Sequence, residues 1–319
     1  MDGNGSSFLG YYWKPDNCQD TFCIFTFVLL LTTEAPILVS NSVCLMVLRR
    51  VRGIQETTKL FMMSLTLSDL CNGIFLGIPT LRYYMLYPSV DSLFCKIMPF
   101  VAIALFTINA SSMVMLTIDR FLAITYSLHY PRLMTLKRSK VMVTLVWSLT
   151  IMLYSAWCIL HLHLVGIQSD QNEFLEHVFV CASLHPVLII IISAILGVSL
   201  GTILILYAFI LKVAQHQARL IAAQSTIGNI EGRQNVPGPI STKSATTVII
   251  ITGTACLYWI PGFIVMSLAL ITDQVPPKNS YLIAASLFSC SSWLNCIIYY
   301  WRNREFKQAL HNLRPSCCH

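Results

Sequence analysis

Long apolar stretches bounded by charged residues alternate with short polar segments along the chain. Seven of these stretches reach the ~20 residues that an α-helix needs to cross the hydrocarbon core of a bilayer. Because each run is continuous rather than alternating, it favours a helix over a barrel strand. The pattern therefore predicts an all-α membrane protein with seven spans. The runs are Thr21–Leu48, Leu60–Leu86, Lys96–Asp119, Val141–Ser169, Val178–Leu211, Ser244–Thr272 and Asn279–Trp301.

The composition agrees with a chain that faces lipid. Of the 319 residues, 55% are hydrophobic and only 11% are charged. A soluble globular chain carries about 25% charged residues, so much of this apolar surface must face something other than water. A soluble enzyme, a disordered chain and a coiled coil are excluded.

The basic residues set the orientation of the spans. If the amino terminus is extracellular, 17 of the 21 lysines and arginines fall on the inner side, as the positive-inside rule requires. The net charge of +7 is then a feature of the inner face, where it meets anionic membrane lipids and not nucleic acid. The inner residues are Arg49, Arg50, Arg52, Lys59, Arg120, Arg132, Lys137, Arg138, Lys140, Lys212, Arg219, Arg233, Lys243, Arg302, Arg304, Lys307 and Arg314.

Three segments follow from this layout. Residues 1–20 form an extracellular amino terminus, 21–301 the seven-span bundle, and 302–319 an amphipathic helix with a short cytoplasmic tail. Asn4 begins a glycosylation sequon, which is either used or a chance match. Cys317 and Cys318 follow the amphipathic segment and are either palmitoylated or free thiols.

Short motifs at the span ends carry a family resemblance. Ile118-Asp119-Arg120-Phe121 closes the third span, and Cys95 lies 25 residues before Arg120. Together with further motifs in the same order, they resemble the rhodopsin-like (class A) G-protein-coupled receptors. The other matching positions are Asn41, Leu65–Leu70, Trp147, Tyr258–Pro261, Asn295–Tyr299 and Cys181.

The resemblance implies a fold and a function. The fold is a seven-transmembrane helix bundle with a short amphipathic eighth helix. The function is that of a plasma-membrane receptor, not an enzyme, which binds an extracellular ligand and activates a heterotrimeric G protein. It also implies a disulfide between Cys95 and Cys181, whereas Cys18 and Cys23 either pair or stay free.

Several positions depart from the family pattern. Cys296 replaces the proline of the seventh span, and Ser199 stands where the fifth span has one in the family. Because proline kinks a helix, the motions of these two spans are expected to differ from those of the family. The acidic residue at the base of the sixth span is missing from residues 241–244, so restraint on Arg120 is expected to be weak.

Two carboxylates lie at membrane depth, where a charge is costly and indicates function. In the family the equivalent of Asp69 binds sodium, and here its neutral partners would be Asn109, Ser291 and Asn295. Carboxylate and neutral oxygens suit a hard cation; the alternative is a protonated Asp69 bonded to asparagines. Glu34 either lines the ligand cavity or packs against the seventh span as a protonated or water-bonded carboxyl.

The inner switch and the ligand pocket are also implied by the resemblance. Asp119 restrains Arg120 at rest; on activation Arg120 turns toward Tyr207, Tyr299 and the G protein, which Leu128 also contacts. Ala102 and Ser289 replace the amine-receptor aspartate and the opsin lysine, so both subclasses are disfavoured. The lining is apolar with a few hydroxyls and suits a neutral or lipid-like ligand. It comprises Ala102, Ile103, Phe106, Thr107, Ile192, Ile195, Trp259, Phe263, Met266, Ala285 and Ser289.

Other classes of protein remain as alternatives. A peptide receptor would use charged residues of the outer loops, and a non-signalling decoy or scaffold would follow if Cys296 and Ser199 impair activation. A transporter would need a polar lane or broken helices in related halves, and an intramembrane enzyme would need clustered polar groups at depth. The sequence shows neither, and it indicates no cofactor apart from the sodium ion at Asp69.

Overall fold

The computed structural model describes residues 21–79, 92–165, 186–227, 242–272 and 278–312. Asn4, Cys18, Cys181, Cys317, Cys318 and the side chain of Cys95 lie outside this part of the chain. The glycosylation, palmitoylation and disulfide assignments therefore stay predictions.

The described residues form seven long helices and two short ones. In chain order, each long helix overlaps one of the seven predicted apolar runs, which confirms the all-α architecture. The helices are α1 (Thr21–Arg50), α2 (Glu56–Asn72, continued by a π-helical turn at Gly73–Gly77), α3 (Ser92–Thr125), α4 (Tyr130–Leu133), α5 (Leu136–Val165), α6 (Pro186–Ile227), α7 (Thr242–Thr272), α8 (Lys278–Arg302) and α9 (Arg304–His311).

Several helices are long and apolar enough to cross a membrane. Within the described residues five segments meet this condition, and a shorter apolar segment, Cys256–Leu268, lies in α7. The five are Phe27–Arg50, Glu56–Gly77, Lys96–Thr125, Leu136–His163 and Ile190–Val213. Their outward faces carry large apolar side chains such as Val39, Met152 and Val198, all exposed in the isolated chain. In a bilayer these side chains contact lipid instead of water.

Helix α3 occupies the centre of the bundle. It packs against α2, α5, α6 and α7, while α1 contacts α2 and α8, and α7 contacts both α6 and α8. The buried core between these helices includes Phe61, Leu65, Met113, Leu116 and Trp259. Because α3 contacts four other long helices within the described residues, side chains along it can bond to several helices.

Helix lengths differ from the predicted spans where polarity and helix propensity diverge. Helix α6 continues to Ile227, although its apolar run ends at Leu211. The extension is rich in alanine and glutamine, which favour a helix in water as well as in lipid. Hydrophobicity marks the part of a helix within the membrane, and propensity determines where the helix stops.

The amphipathic segment after α8 is a helix, as predicted. Asn303 caps α9: its side-chain oxygen accepts hydrogen bonds from the backbone N–H groups of Glu305 and Phe306, at 2.9 and 3.2 Å. Phe306 is buried against Tyr299, while Arg304 and Lys307 are exposed. The apolar face of α9 is therefore attached to the inner end of the bundle.

A chain of polar side chains joins three helices inside the inner half of the bundle. The indole Nε1 of Trp147 in α5 donates to the hydroxyl of Ser64 in α2 over 3.0 Å. The same hydroxyl lies 2.9 Å from the hydroxyl of Ser112 in α3. Ser64 thus contacts a buried hydroxyl and a half-buried indole on two neighbouring helices.

Replacing this serine tests the joint. Ser64→Val should lower the melting temperature of the purified protein by roughly 3 °C or more, because Trp147 and Ser112 each lose a buried partner. Ser148→Ala is the matched control, since the exposed Ser148 hydroxyl bonds only to backbone carbonyls of its own helix. Equal melting temperatures for wild type and Ser64→Val would show that the hydrogen bonds of Ser64 do not stabilise the bundle.

Candidate functional site

The inner end of α3 holds a buried ion pair. Asp119 is fully buried and Arg120 nearly so. Two nitrogens of the guanidinium, Nε and Nη2, donate to Asp119 Oδ2 at 3.0 and 2.6 Å. The carboxylate therefore holds the neighbouring arginine, as the resemblance implies for a receptor at rest.

The beginning of α2 also holds the arginine. Thr58 Oγ1 donates to Asp119 Oδ2 over 2.8 Å and in turn accepts a hydrogen bond from Arg120 Nη2. The same nitrogen donates to Gln55 Oε1 at 3.2 Å. The sequence reasoning named only Asp119 as a restraint and expected the restraint to be weak. In the structure two further side chains, Gln55 and Thr58, share it.

A tyrosine of the second inner loop completes the site. The hydroxyl of Tyr130 donates to Asp119 Oδ1 over 2.6 Å, and it lies 2.8 Å from the Thr57 hydroxyl. Burial, followed by the negative charge of Asp119, raises the pKa of Tyr130 above its ordinary value. The phenol therefore stays protonated and remains a donor to Asp119. We call Gln55, Thr58, Asp119, Arg120 and Tyr130 the inner polar cluster.

The other predicted members of the switch lie apart from this cluster. The Tyr299 ring is buried against Phe306, and its hydroxyl has no hydrogen-bond partner among the described residues. Tyr207 is half-buried in α6 near Cys256. Leu128 lies in the loop before Tyr130 and is 90% exposed. A G-protein contact at Leu128 is thus sterically open.

A second polar centre surrounds Asp69 in the middle of the bundle. Asn109 Nδ2 of α3 donates to Asp69 Oδ1 over 2.7 Å, and Asn295 Nδ2 of α8 donates to Oδ2 over 3.5 Å. Ser292 of α8 also hydrogen-bonds to the carboxyl. Asp69 thereby links α2, α3 and α8.

Ser291 was predicted to join this centre, and the structure places it elsewhere. Its hydroxyl accepts from Trp259 Nε1 over 3.2 Å and donates to the Phe288 carbonyl over 2.7 Å. The adjacent Ser292 turns toward Asp69 instead. Successive residues of an α-helix project about 100° apart, so only one of two neighbouring serines can face a given group.

Cys296 bonds to α1 at the position of the family's proline. Its thiol donates to Asn41 Oδ1 over 3.4 Å, while Asn41 Nδ2 donates to the Ile37 carbonyl at 3.0 Å and the Ser292 carbonyl at 3.4 Å. Helix α8 runs through this point without interruption. The side chain that replaces proline therefore adds a contact between α1 and α8.

The predicted pocket residues divide into two groups. The first surrounds an aromatic cluster of Phe106, Trp259 and Phe288, with ring centroids 5.4 to 5.9 Å apart. Ile195 and Phe263 pack against the core that contains it. We call the three rings the aromatic floor. Because Trp259 bonds to Ser291, the floor is connected to α8.

The second group lies between α3, α5 and α6. Ile103 is buried with Phe100, Tyr154 and Cys158, and Ile192 packs against the same cluster. The Thr107 hydroxyl lies 3.2 Å from that of Tyr154. Ala102 and Met266 are half-buried, and the side chain of Ala285 lies outside the described part. The structure therefore places part of the predicted lining around two centres, whereas Ser289 contacts Glu34 instead.

Glu34 packs against the seventh span, as one of its two interpretations expects. Ser289 Oγ of α8 donates to Glu34 Oε1 over 3.1 Å. The other carboxyl oxygen faces Gly77 in the π-helical turn of α2. Ser289 was predicted as a pocket residue, but its bond to Glu34 was not foreseen.

Comparison with known proteins gives the family. The model of the 7 transmembrane receptor (rhodopsin family) matches residues 40–299, which is most of the chain. The chain belongs to the rhodopsin-family seven-transmembrane receptors. Membership implies a multi-pass receptor that signals through G proteins.

Individual relatives are distant. The histamine H2 receptor of Canis lupus familiaris is 27% identical over 99% of this chain and 85% of its own length. The probable G-protein coupled receptor 21 of Mus musculus is 24% identical, over 93% of this chain and 85% of its own length. The alpha-1A adrenergic receptor of Oryzias latipes is 24% identical over 84% of this chain and 62% of its own length.

The inner polar cluster generates a prediction about basal signalling. Asp119→Ala and Gln55→Ala should each raise ligand-independent G-protein activation, because each removes a restraint on Arg120. Hydrogen bonds to charged groups are worth about 1.5–3 kcal/mol, which corresponds to roughly a ten- to 150-fold change in the ratio of resting to active receptor. The measurement is G-protein activation normalised to surface receptor.

The matched control is Glu56→Ala. Glu56 is the exposed neighbour of Gln55 and pairs with Lys59 over 2.6 Å, away from Arg120. It should leave basal signalling unchanged. Unaltered basal signalling in both Asp119→Ala and Gln55→Ala would show that these bonds do not restrain the receptor.

Proposed function

We propose that this protein is a plasma-membrane receptor, with its amino terminus outside, that binds a small extracellular ligand and activates a heterotrimeric G protein through Arg120. The observation that carries the proposal is the inner polar cluster. It holds a buried arginine by bonds that can be exchanged, next to the exposed Leu128. The basic inner loops face the cytoplasm in this orientation.

Activation requires Arg120 to exchange partners. Burying an unpaired guanidinium is costly, so the arginine can leave Asp119, Thr58 and Gln55 only if other polar groups accept it. The Tyr299 hydroxyl, which has no partner among the described residues, can act as an acceptor. A ligand that binds more tightly to the receptor with Arg120 released shifts the population toward that conformation.

The ligand site we propose lies above the aromatic floor. Its described lining is mainly apolar, with Ala102 where the amine receptors carry aspartate. Such a lining suits a largely apolar small molecule held by few polar anchors. Some relatives are named as histamine and adrenergic receptors, but the absence of a carboxylate at Ala102 argues against the same anchor here.

We further propose that Asp69 holds a sodium ion. The donors fit in kind: one buried carboxyl lies beside the hydroxyls of Ser68 and Ser292 and two asparagine side chains. Hard cations favour such oxygens. In the present arrangement Asn109 and Asn295 both point their amide nitrogens at the carboxyl, so each amide must turn before its oxygen can bind the ion. A bound ion would supply positive charge beside Asp69.

Two substitutions test the coupling. Arg120→Ala should abolish or strongly reduce G-protein activation, and Leu128→Ala should weaken it with little effect on ligand affinity. Arg132→Ala and Leu133→Ala, both exposed and close in the chain, are the controls and should signal like wild type. The readout is G-protein activation at matched surface expression.

Two outcomes would contradict this assignment. If a robust signal survives both Arg120→Ala and Leu128→Ala, these residues do not couple the receptor to its G protein. If wild type activates no G protein in any cell tested, the decoy interpretation gains support.

The sodium site has a readout that does not need signalling. Replacing N-methylglucamine by sodium at constant ionic strength should raise the melting temperature of wild type, because an ion that binds only the folded state stabilises it. Asp69→Asn should show no such rise. A sodium effect of equal size in both proteins would remove Asp69 as the site.

A further inference from the structure

Glu34 is a buried carboxyl that neither the inner polar cluster nor the Asp69 centre uses. It lies in α1 with 7% of its surface exposed. Three elements meet around it: α1 itself, α8 through Ser289, and the π-helical turn of α2 through Gly77. Single π-helical turns within α-helices occur frequently at functional sites.

The hydrogen bonds of this carboxyl are incomplete. Its Oε1 accepts from Ser289 over 3.1 Å, and among the described residues Glu34 forms no ion pair. A carboxylate can accept about four hydrogen bonds. A negative charge at this depth is costly without a partner. The group must therefore hold a proton or meet a cation that the described side chains do not supply.

Gly77 provides the space for the carboxyl. A Cβ atom built on this glycine would collide with Glu34 Oε2. Even alanine would therefore displace the carboxyl from the π-helical turn. The turn brings α2 backbone directly against the side chain of α1, and this contact fixes the position of Oε2.

The carboxyl and the aromatic floor adjoin the same turn of α8. Ser289 directly follows Phe288, whose ring lies 5.7 Å from Trp259 and 5.4 Å from Phe106. The serine is half-buried and connects the edge of the floor to Glu34. A ligand that rests on the floor can therefore direct one polar group along α8 toward the carboxyl.

We propose that Glu34 anchors the ligand by binding a basic group, such as a protonated amine, on an otherwise apolar or aromatic molecule. The inference rests on the receptor function proposed above and adds the chemical class of its ligand. Ser289 positions the carboxylate, and the ammonium supplies the missing positive charge. In this respect the ligand differs from the neutral molecule expected from the sequence.

Cysteine chemistry next to Glu34 tests the site without a known ligand. In a Cys290→Ala background, Ser289→Cys is exposed from the outer side to a cationic and an anionic reagent, aminoethyl and sulfonatoethyl methanethiosulfonate. We expect the cationic reagent to react roughly tenfold faster than the anionic one, relative to their rates with a free thiol. Adding Glu34→Gln should abolish this preference. Modification is followed by peptide mass mapping.

Ala102→Cys is the matched control. Because it lies on α3, its reagent preference should be the same with Glu34 and with Gln at position 34. If the thiol introduced by Ser289→Cys reacts with neither reagent, or reacts without a preference that depends on Glu34, the proposal is overturned. The assay involves no G protein, so its result is independent of whether the receptor signals.

A second measurement covers the case in which Ser289→Cys does not fold. Arylalkylamines and the corresponding neutral alcohols are added to wild type and to Glu34→Gln, and melting temperatures are compared. At least one amine should stabilise wild type more than its alcohol does, and this difference should disappear in Glu34→Gln. A panel in which no amine exceeds its alcohol would reject a basic ligand group at Glu34.

Discussion

The buried carboxylate of Asp119 is the constraint on which the inner half of this receptor depends. It accepts hydrogen bonds from Arg120, Thr58 and Tyr130, and these donors come from α3, α2 and the second inner loop. A buried charge is tolerated only when its partners are in place. The carboxylate therefore fixes the loop that presents Leu128 and the start of α2 at the same time as it holds the arginine. A movement of Asp119 that releases Arg120 would therefore also disturb the start of α2 and the second inner loop.

Two adjacent residues of α8 contact two other polar or aromatic centres of the bundle. Ser291 bonds to Trp259 in the aromatic floor, and Ser292 bonds to Asp69 in the middle of the membrane. Since the serines are adjacent, a rotation of α8 that disturbs one bond disturbs the other. Asp69 is linked in turn to α3 through Asn109. Helix α8 thus provides a polar connection from the aromatic floor to α3, the helix that carries Arg120.

The sequence predicted what hydrophobicity and motif spacing determine. It predicted the seven apolar helices, the short helix that buries Phe306, and the contacts of Asp69 with Asn109 and Asn295. It missed contacts between ordinary residues far apart in the chain. Gln55 and Thr58 have no distinctive sequence signal, and they become part of the switch only because α2 begins beside the end of α3.

Other differences arise from local geometry that a motif does not encode. Two adjacent serines look equivalent in sequence, but the rotation of α8 sends Ser291 to Trp259 and Ser292 to Asp69. The π-helical turn at Gly73–Gly77 shifts the register of α2, and with it the position of Gly77 against Glu34. A shift of one residue in the register of a helix decides which side chains come into contact. This shift is seen in the packed structure and not in the motif.

Residues that depart from the family pattern form contacts of their own in the structure. Phe121 packs its ring 6.3 Å from both Tyr126 and Phe209, so the position contributes to packing without a hydroxyl. Cys296 gives up the kink of a proline and gains a bond to Asn41, which ties α8 to α1. The acid that the family carries at the base of the sixth span is missing here, and Arg120 donates instead to Gln55, a neutral acceptor at the start of α2. A neutral acceptor binds a guanidinium less strongly than a carboxylate does. Among the described residues, Arg120 is therefore held by the ion pair with Asp119 in α3 together with hydrogen bonds to Thr58 and Gln55 at the start of α2.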